Sequence, residues 1–490
     1  MRTRDYAYLR APASDSVPFR TMSASTPEVL DRLNRRLPVR VHSTAALVAD
    51  TDKAAGAVDR QRARKRGELE PPTRKSDVGP LHGPENDDLH ITPWELLGVF
   101  ARGSTLARQG RGRGLAEHWQ ALKYCQALGV GTHGYLALTE EGEIPELAYR
   151  GMQARELGRA LGLAVAERTV RNRYPDHLVS VLDAEVVLLA GFARSGPRPT
   201  LGARPRPDFF LEVWRPGEPS LVFVVTVNGN HQVATKRTGK ADRSAFKQLA
   251  RASERAEQFH LAEWNTTPCL LTSTELMAKE GITINALQAP GRGLLPTRPT
   301  SGSKSADAVL SKRNPPYAGA VKVPGIEGRK ERIQDGFLIP RKDLGWYGQL
   351  LARTAAAGQL ALAGAGGEVA QYLTDEQGRK HYAQRTFAGS SSVRDACHKI
   401  GSTRFLGTDQ VFRLGGIRVE AFSGMDEELY ELLVNGEVEA YRHRAYEKRD
   451  TFPTGTEAPE WGPVSFCDDG TVVALRILPQ DQAQQLRSSR

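Results

Sequence analysis

Asp208 stands at the head of an apolar run, Phe209–Trp214, and a second run, LVFVVTVN at 221–228, follows after Arg215-Pro216-Gly217-Glu218-Pro219. Two Val- and Phe-rich runs separated by Pro and Gly predict a β-hairpin. With the turn centred on Gly217, each step out along one strand is matched by a step along the other. Asp208 then lies across from Thr226, and Asn228 follows on the same pleat face. A carboxylate with two further oxygen donors at a strand end is a ligand set for a hard divalent cation such as Mg²⁺ or Mn²⁺. A lysine at the same point would orient water and offset phosphate charge. The chemistry to look for is metal-assisted phosphodiester hydrolysis, with Asp208 as the principal ligand. Glu212, two pleats along the same face, is a further carboxylate candidate.

The order around this hairpin is helix, strand, hairpin, helix, strand, an α/β pattern spanning 145–289. The pair Pro207-Asp208, the hairpin length and the buried strand LVFVVTVN make this region resemble the PD-(D/E)xK nuclease-like superfamily. The resemblance implies a restriction-endonuclease-like core, a mixed sheet flanked by helices, acting on DNA in defence or processing. It also implies a glutamate from the upstream helix as a second metal ligand. Glu156 is the best-placed match, with Glu146 and Glu167 as alternatives. In members with a Gln-x-x-x-Tyr element on the later helix, Gln248 matches and Ala252 replaces the tyrosine. Two signature positions depart from the family. Thr226 takes the second acid position and Asn228 the lysine position, and neither supplies a charge. Lys236, Lys240 and Lys247 follow the hairpin, and one of them reaching back would rebuild the site. Two readings stay open: a metal-dependent nuclease with an altered centre, and a non-catalytic binding or scaffold protein on a degenerate nuclease fold.

The elements that must position these groups are legible in outline. PELAYRGMQARELGRALGLAVAERTVRNR predicts a long helix with Met152, Leu157, Leu161 and Ala164 inward. HLVSVLDAEVVLLAGF reads as a strand or strand pair, and TPCLLTST and GITINALQA as two more strands. A helix over 244–260 turns Phe246, Ala250 and Ser253 inward. Its Lys247, Arg251 and Arg255, at four-residue spacing, form a basic stripe suited to a phosphate backbone or, with the interleaved Glu254 and Glu257, an exposed salt-bridged face. Residues 1–88 are expected to be mostly disordered and basic, with PEVLDRLNRRL as one short helix. There the run Arg62–Arg66 offers further phosphate contacts or a solvated linker. A helical lead-in covers 89–144, beginning at ITPWELLGVFARG with Thr92 as cap and Pro93 in the first turn. A Pro/Gly/Ser-rich linker covers 290–336. An α+β C-terminal domain, able to meet a protein partner, covers 337–480, with a tail at 481–490. Its predicted elements are a helix from Gly345, a hairpin QVFRLGGIRVEAF, a helical stretch over 425–446 and a final hairpin turning at Asp468-Asp469-Gly470.

Composition narrows the classes. The chain has 490 residues and a net charge of +10, which favours a polyanionic partner such as DNA. It has no apolar run long enough to span a bilayer. Its four cysteines, Cys125, Cys269, Cys397 and Cys467, form no CxxC pair, as expected of a cytoplasmic chain. The abundance of Ala, Gly and Arg points to a GC-rich, bacterial genome. No histidine spacing predicts a zinc site. Cys397 and His398 are adjacent, so their side chains diverge and make a poor nucleophile–base pair.

Overall fold

The computed structural model describes residues 26–66, 71–106, 117–143, 147–192, 206–231, 241–262, 267–276, 281–297, 320–323, 332–374, 377, 396–414, 417–452 and 460–478. The N-terminal third contributes α1 (Thr26–Asn34), β1 (Leu37–His42), α2 (Ala45–Arg66), β2 (Leu89–Ile91) and α3 (Pro93–Ser104). A small hairpin, β3 (Leu128–Val130) and β4 (Leu136–Leu138), and a short helix α4 (Glu140–Glu143) follow. The central part holds α5 (Leu147–Arg173), β5 (Leu178–Asp183), α6 (Ala184–Phe192), β6 (Phe209–Trp214), β7 (Leu221–His231) and α7 (Ala241–Ala256). It ends with β8 (Phe259–Ala262), β9 (Cys269–Leu276) and β10 (Thr283–Ala289).

The hairpin takes the expected register: Phe209 faces Val225 and Val213 faces Leu221. Gly217 turns the chain at φ 78°, a left-handed conformation that costs glycine nothing sterically. Strands assemble in the order β2-β1-β10-β9-β7-β6-β5. β7 runs parallel to β9 and β1 parallel to β10, and the other pairs are antiparallel, so the sheet is mixed.

Helices cover both faces. The Val227 side chain points at α5, where a Cβ on Gly162 would meet it at 2.7 Å. The preceding Thr226 points at α7 and donates to the Ala252 carbonyl at 3.3 Å. Successive strand residues alternate faces, so α5 and α7 lie on opposite sides. Helix α5 meets β7 backbone to backbone: a Cβ on Gly229 would stand 1.7 Å from the Ala154 carbonyl oxygen. Leu157, Leu161 and Ala164 are buried as expected, but Met152 is 39% exposed.

Several segments differ from the sequence reading. Within residues 1–88, α1 is the expected short helix, but β1 and α2 are further elements, and β1 extends the main sheet through β10. The alternation of buried Leu37, Val39 and Val41 with more exposed neighbours is a period-two pattern too short to stand out in a polar context. The segment at 177–192, read as a strand or strand pair, is the strand β5 followed by α6, because Asp183 accepts from the Glu185 and Val186 N–H groups and starts a helix. The helix expected to reach His260 ends at Ala256, and β8 pairs in parallel with β13 (Phe337–Pro340). Inside 290–336, β11 (Ala320–Val323) and β12 (Arg332–Asp335) pair with each other.

The C-terminal part comprises α8 (Leu344–Leu362), β14 (Ala396–Ile400), β15 (Thr403–Leu414), β16 (Ile417–Asp426), α9 (Glu427–Val434), α10 (Val438–Lys448), β17 (Val464–Phe466) and β18 (Thr471–Ile477). Its sheet order is β14-β15-β16-β18-β17. This sheet docks on α3, where Trp94 Nε1 donates to the Val473 carbonyl at 2.9 Å. Val419, Val473 and Leu475 share one apolar core with Leu97, Leu161 and Val225. No described helix is long and apolar enough to cross a membrane.

Candidate functional site

Asp208 sits at the foot of β6, between α5 and α7. Its N–H donates to the Val225 carbonyl, and its Oδ2 accepts from the Val227 N–H at 2.9 Å. The same Oδ2 lies 2.9 Å from Arg255 Nη1, and Oδ1 lies 3.2 Å from Arg159 Nη1. Both oxygens are thus engaged, one by each helix. Arg159 stacks on the Phe209 ring at 4.3 Å and reaches Asp183 at 3.1 Å with its other terminal nitrogen. Burial raises the Asp183 carboxyl above its ordinary value, and the Arg159 charge opposes that rise. Arg255 Nη2 also donates to the Val227 carbonyl at 3.0 Å and to Asn228 Oδ1 at 3.3 Å.

The signature positions on β7 are likewise occupied. Thr226 is fully buried and bonded to α7. The Asn228 amide donates to the carbonyls of Gln248 and Thr272 at 3.3 and 3.4 Å, while its oxygen accepts from Arg255. A divalent cation at Asp208 would have to displace a guanidinium, and neither Thr226 nor Asn228 would bring charge to it. The residues present do not fit such an ion.

The proposed second carboxylates point elsewhere. Glu156 accepts from the Tyr124 hydroxyl and pairs with Lys123 at 2.6 Å. Burial and this carboxylate raise the Tyr124 hydroxyl far above its ordinary value. Glu212 has no exposed surface and is held by Arg442 of α10 at 3.2 Å, whose guanidinium lies 3.8 Å over the Trp214 ring. These contacts tie Glu212 to α10 of the C-terminal part. Glu167 is paired with Arg102 at 3.2 Å. Of the basic residues, Arg255 turns inward to Asp208, Lys247 and Arg251 are exposed, and Lys236 and Lys240 lie outside the described residues.

Gln248 does take part. Its Oε1 accepts from the Ser273 hydroxyl at 2.6 Å. Beyond it, the Asn285 amide donates to the Ser273 carbonyl at 3.4 Å and its oxygen lies 3.0 Å from His42 Nδ1. A polar chain therefore crosses the sheet from His42 on β1 through Asn285, Ser273, Gln248, Asn228, Arg255, Asp208 and Arg159 to Asp183 on β5. Sequence reasoning missed Arg159, Asp183, Ser273, Asn285 and His42. Arg159 is one of six arginines on α5, and nothing in the sequence singles it out.

A second group of ligand-type side chains lies on the C-terminal sheet. Ligand atoms of His398, Asp409 and Glu420 fall within 4.8 Å of one another. Arg476 chelates both Glu420 oxygens at 3.0 and 3.1 Å, and with His398 holds this carboxyl below its ordinary value. Arg476 also lies over Trp461, which packs on His398. Arg476 thus already engages both oxygens of the Glu420 carboxylate. No family model, curated protein or solved structure matches the chain.

Proposed function

We propose that this chain is a nucleic-acid-associated protein built on a restriction-endonuclease-like core whose catalytic centre has been replaced by an ion-pair network. The order α5-β5-β6-β7-α7-β9, with the helices on opposite faces and β9 parallel to β7, supports the likeness in fold. The observation that carries the loss of catalysis is Asp208. Its two oxygens are bound by Arg159, Arg255 and the Val227 N–H. The Arg159 guanidinium bridges Asp208 and a second carboxylate, Asp183, at 3.2 and 3.1 Å, so a metal ion drawn to these acids would have to displace it. Binding remains available to such a scaffold, and the net charge of +10 favours a polyanion. The four free cysteines suit a cytoplasmic setting.

The test is incubation of the full chain with labelled DNA and RNA in Mg²⁺, Mn²⁺ or EDTA, scoring cleavage and gel retardation together. Retardation in EDTA, without cleavage under any condition, is expected. Mn²⁺-dependent cleavage lost in Asp208→Ala would overturn the reading and restore a rebuilt nuclease centre.

A further inference from the structure

Two sets of exposed cations stand on the packed helix pair α2 and α7. Arg60, Arg64 and Lys65 lie on the C-terminal part of α2, and Lys247 and Arg251 lie one turn apart on α7. The pair is held together by Arg62 on α2, which reaches Glu254 on α7 at 2.9 Å. Arg74, just beyond α2, clamps both oxygens of Asp59 at 2.7 and 2.8 Å. Among the described residues these contacts engage Asp59 and Glu254. Among the described residues none of the five exposed cations has an acidic partner within ion-pair distance.

Like charges gathered at a surface repel one another and contribute nothing to folding. A polyanion relieves that repulsion and gains from releasing its counterions. The face also lacks what other polyanions would need. The exposed large apolar residues, Val130, Tyr149, Met152, Leu294, Val411 and Ile477, lie off both helices. Among the described residues this face has no exposed large apolar side chain to enter a bilayer and no exposed aromatic ring to stack on a base, and its cations suit phosphates. A duplex offers the denser array, about one charge per 1.7 Å.

We infer that the α2–α7 face binds the phosphate backbone of duplex nucleic acid without regard to sequence. This rests on the nucleic-acid reading above and assigns it a surface. The arginine-rich end of α2 and the basic stripe of α7, far apart in the chain, become one site.

The experiment is fluorescence anisotropy with the full chain and labelled DNA over a salt series. The probes are two duplexes of unrelated sequence, a single strand and anionic phosphatidylserine vesicles. The variants are Arg64→Gln with Lys65→Gln, Lys247→Gln with Arg251→Gln, and Lys399→Gln on β14 as a remote control. Each phosphate contact adds about 0.9 to the slope of log affinity against log salt. Each double variant is expected to lower the slope by about 1.8 and to weaken duplex binding roughly 60-fold near 0.1 M salt, equally for both sequences. The control keeps wild-type binding, and circular dichroism checks that the surface variants remain folded. Unchanged slopes in both double variants, with wild-type binding intact, would overturn this surface and leave the nucleic-acid reading standing. Tighter binding to the single strand or to vesicles would overturn the duplex assignment. Failure of the wild type to bind any nucleic acid at low salt would sink both.

Discussion

Asp208→Ala distinguishes an acid that holds a fold from an acid that awaits a metal. The substitution removes one acceptor from Val227 and strands two guanidiniums. Arg159 and Arg255 are only 25% and 24% exposed at the side chain, and Asp208 15%. Removing one partner of a buried pair costs about 3–5 kcal/mol. Here the groups are partly solvated, Arg159 keeps Asp183, and Arg255 keeps the Val227 and Asn228 oxygens. The lower end, about 3 kcal/mol, is the working figure. For a cooperative unit of roughly 150–250 residues, 1 kcal/mol moves Tm by about 2–4 °C. A fall of about 6–12 °C is expected in thermal unfolding followed by circular dichroism, without divalent ions. Asp208→Asn, which keeps the shape and one acceptor oxygen, should lose about half as much. A carboxylate kept strained for a metal behaves in the opposite way, since its removal leaves the protein as stable or more so. A Tm for Asp208→Ala equal to or above the wild type would refute the structural role.

Two further outcomes test the interior charges. Arg442→Ala removes the guanidinium paired with the fully buried Glu212 and should cost about 3–5 kcal/mol, while Glu212→Met with Arg442→Met should recover most of it. A thermal double-mutant cycle reads the coupling, and additive losses would count against the pair. Burial raises the Glu257 carboxyl from 4.5 to about 7, against the opposing charge of Lys75 at 3.3 Å. The folded chain then holds a proton that the unfolded chain releases, so this contribution is complete below pH 4.5 and lost as pH rises through about 7. The Tm of wild type minus that of Glu257→Gln should therefore fall between about pH 5 and pH 8, and a flat difference would refute the assignment.

What the sequence disclosed and what it withheld follow from the range of the interactions. The hairpin register was legible because Gly217 fixes it locally, and α3 because Thr92 caps it and Pro93 opens its first turn. The turn at Gly470, φ 85°, was legible for the same reason. Segment 177–192 was ambiguous because an apolar run buried on every side carries no period to separate strand from helix. The candidate site was half legible. Asp208, Thr226 and Asn228 do converge, since one hairpin carries them. Their partners Arg159 and Arg255 come from helices 49 and 47 residues away on opposite sides of the sheet, a convergence that only tertiary packing sets. Glu212 shares a strand with Asp208, yet its environment is decided by Arg442, 230 residues on.

The position of β1 in the sheet bears on how the chain is made. His42 meets Asn285 across a separation of 243 residues. At about 5–20 residues per second, β1 waits roughly 12–50 s on the ribosome before β10 is synthesised. Until then β1 has only β2 beside it, and its other edge is unpaired. Completion of the core is a late, non-local event, which makes for slow folding and a nascent chain suited to chaperone protection. Chains ending before β10 would keep that edge exposed and would aggregate, whatever the integrity of the Asp208 hairpin.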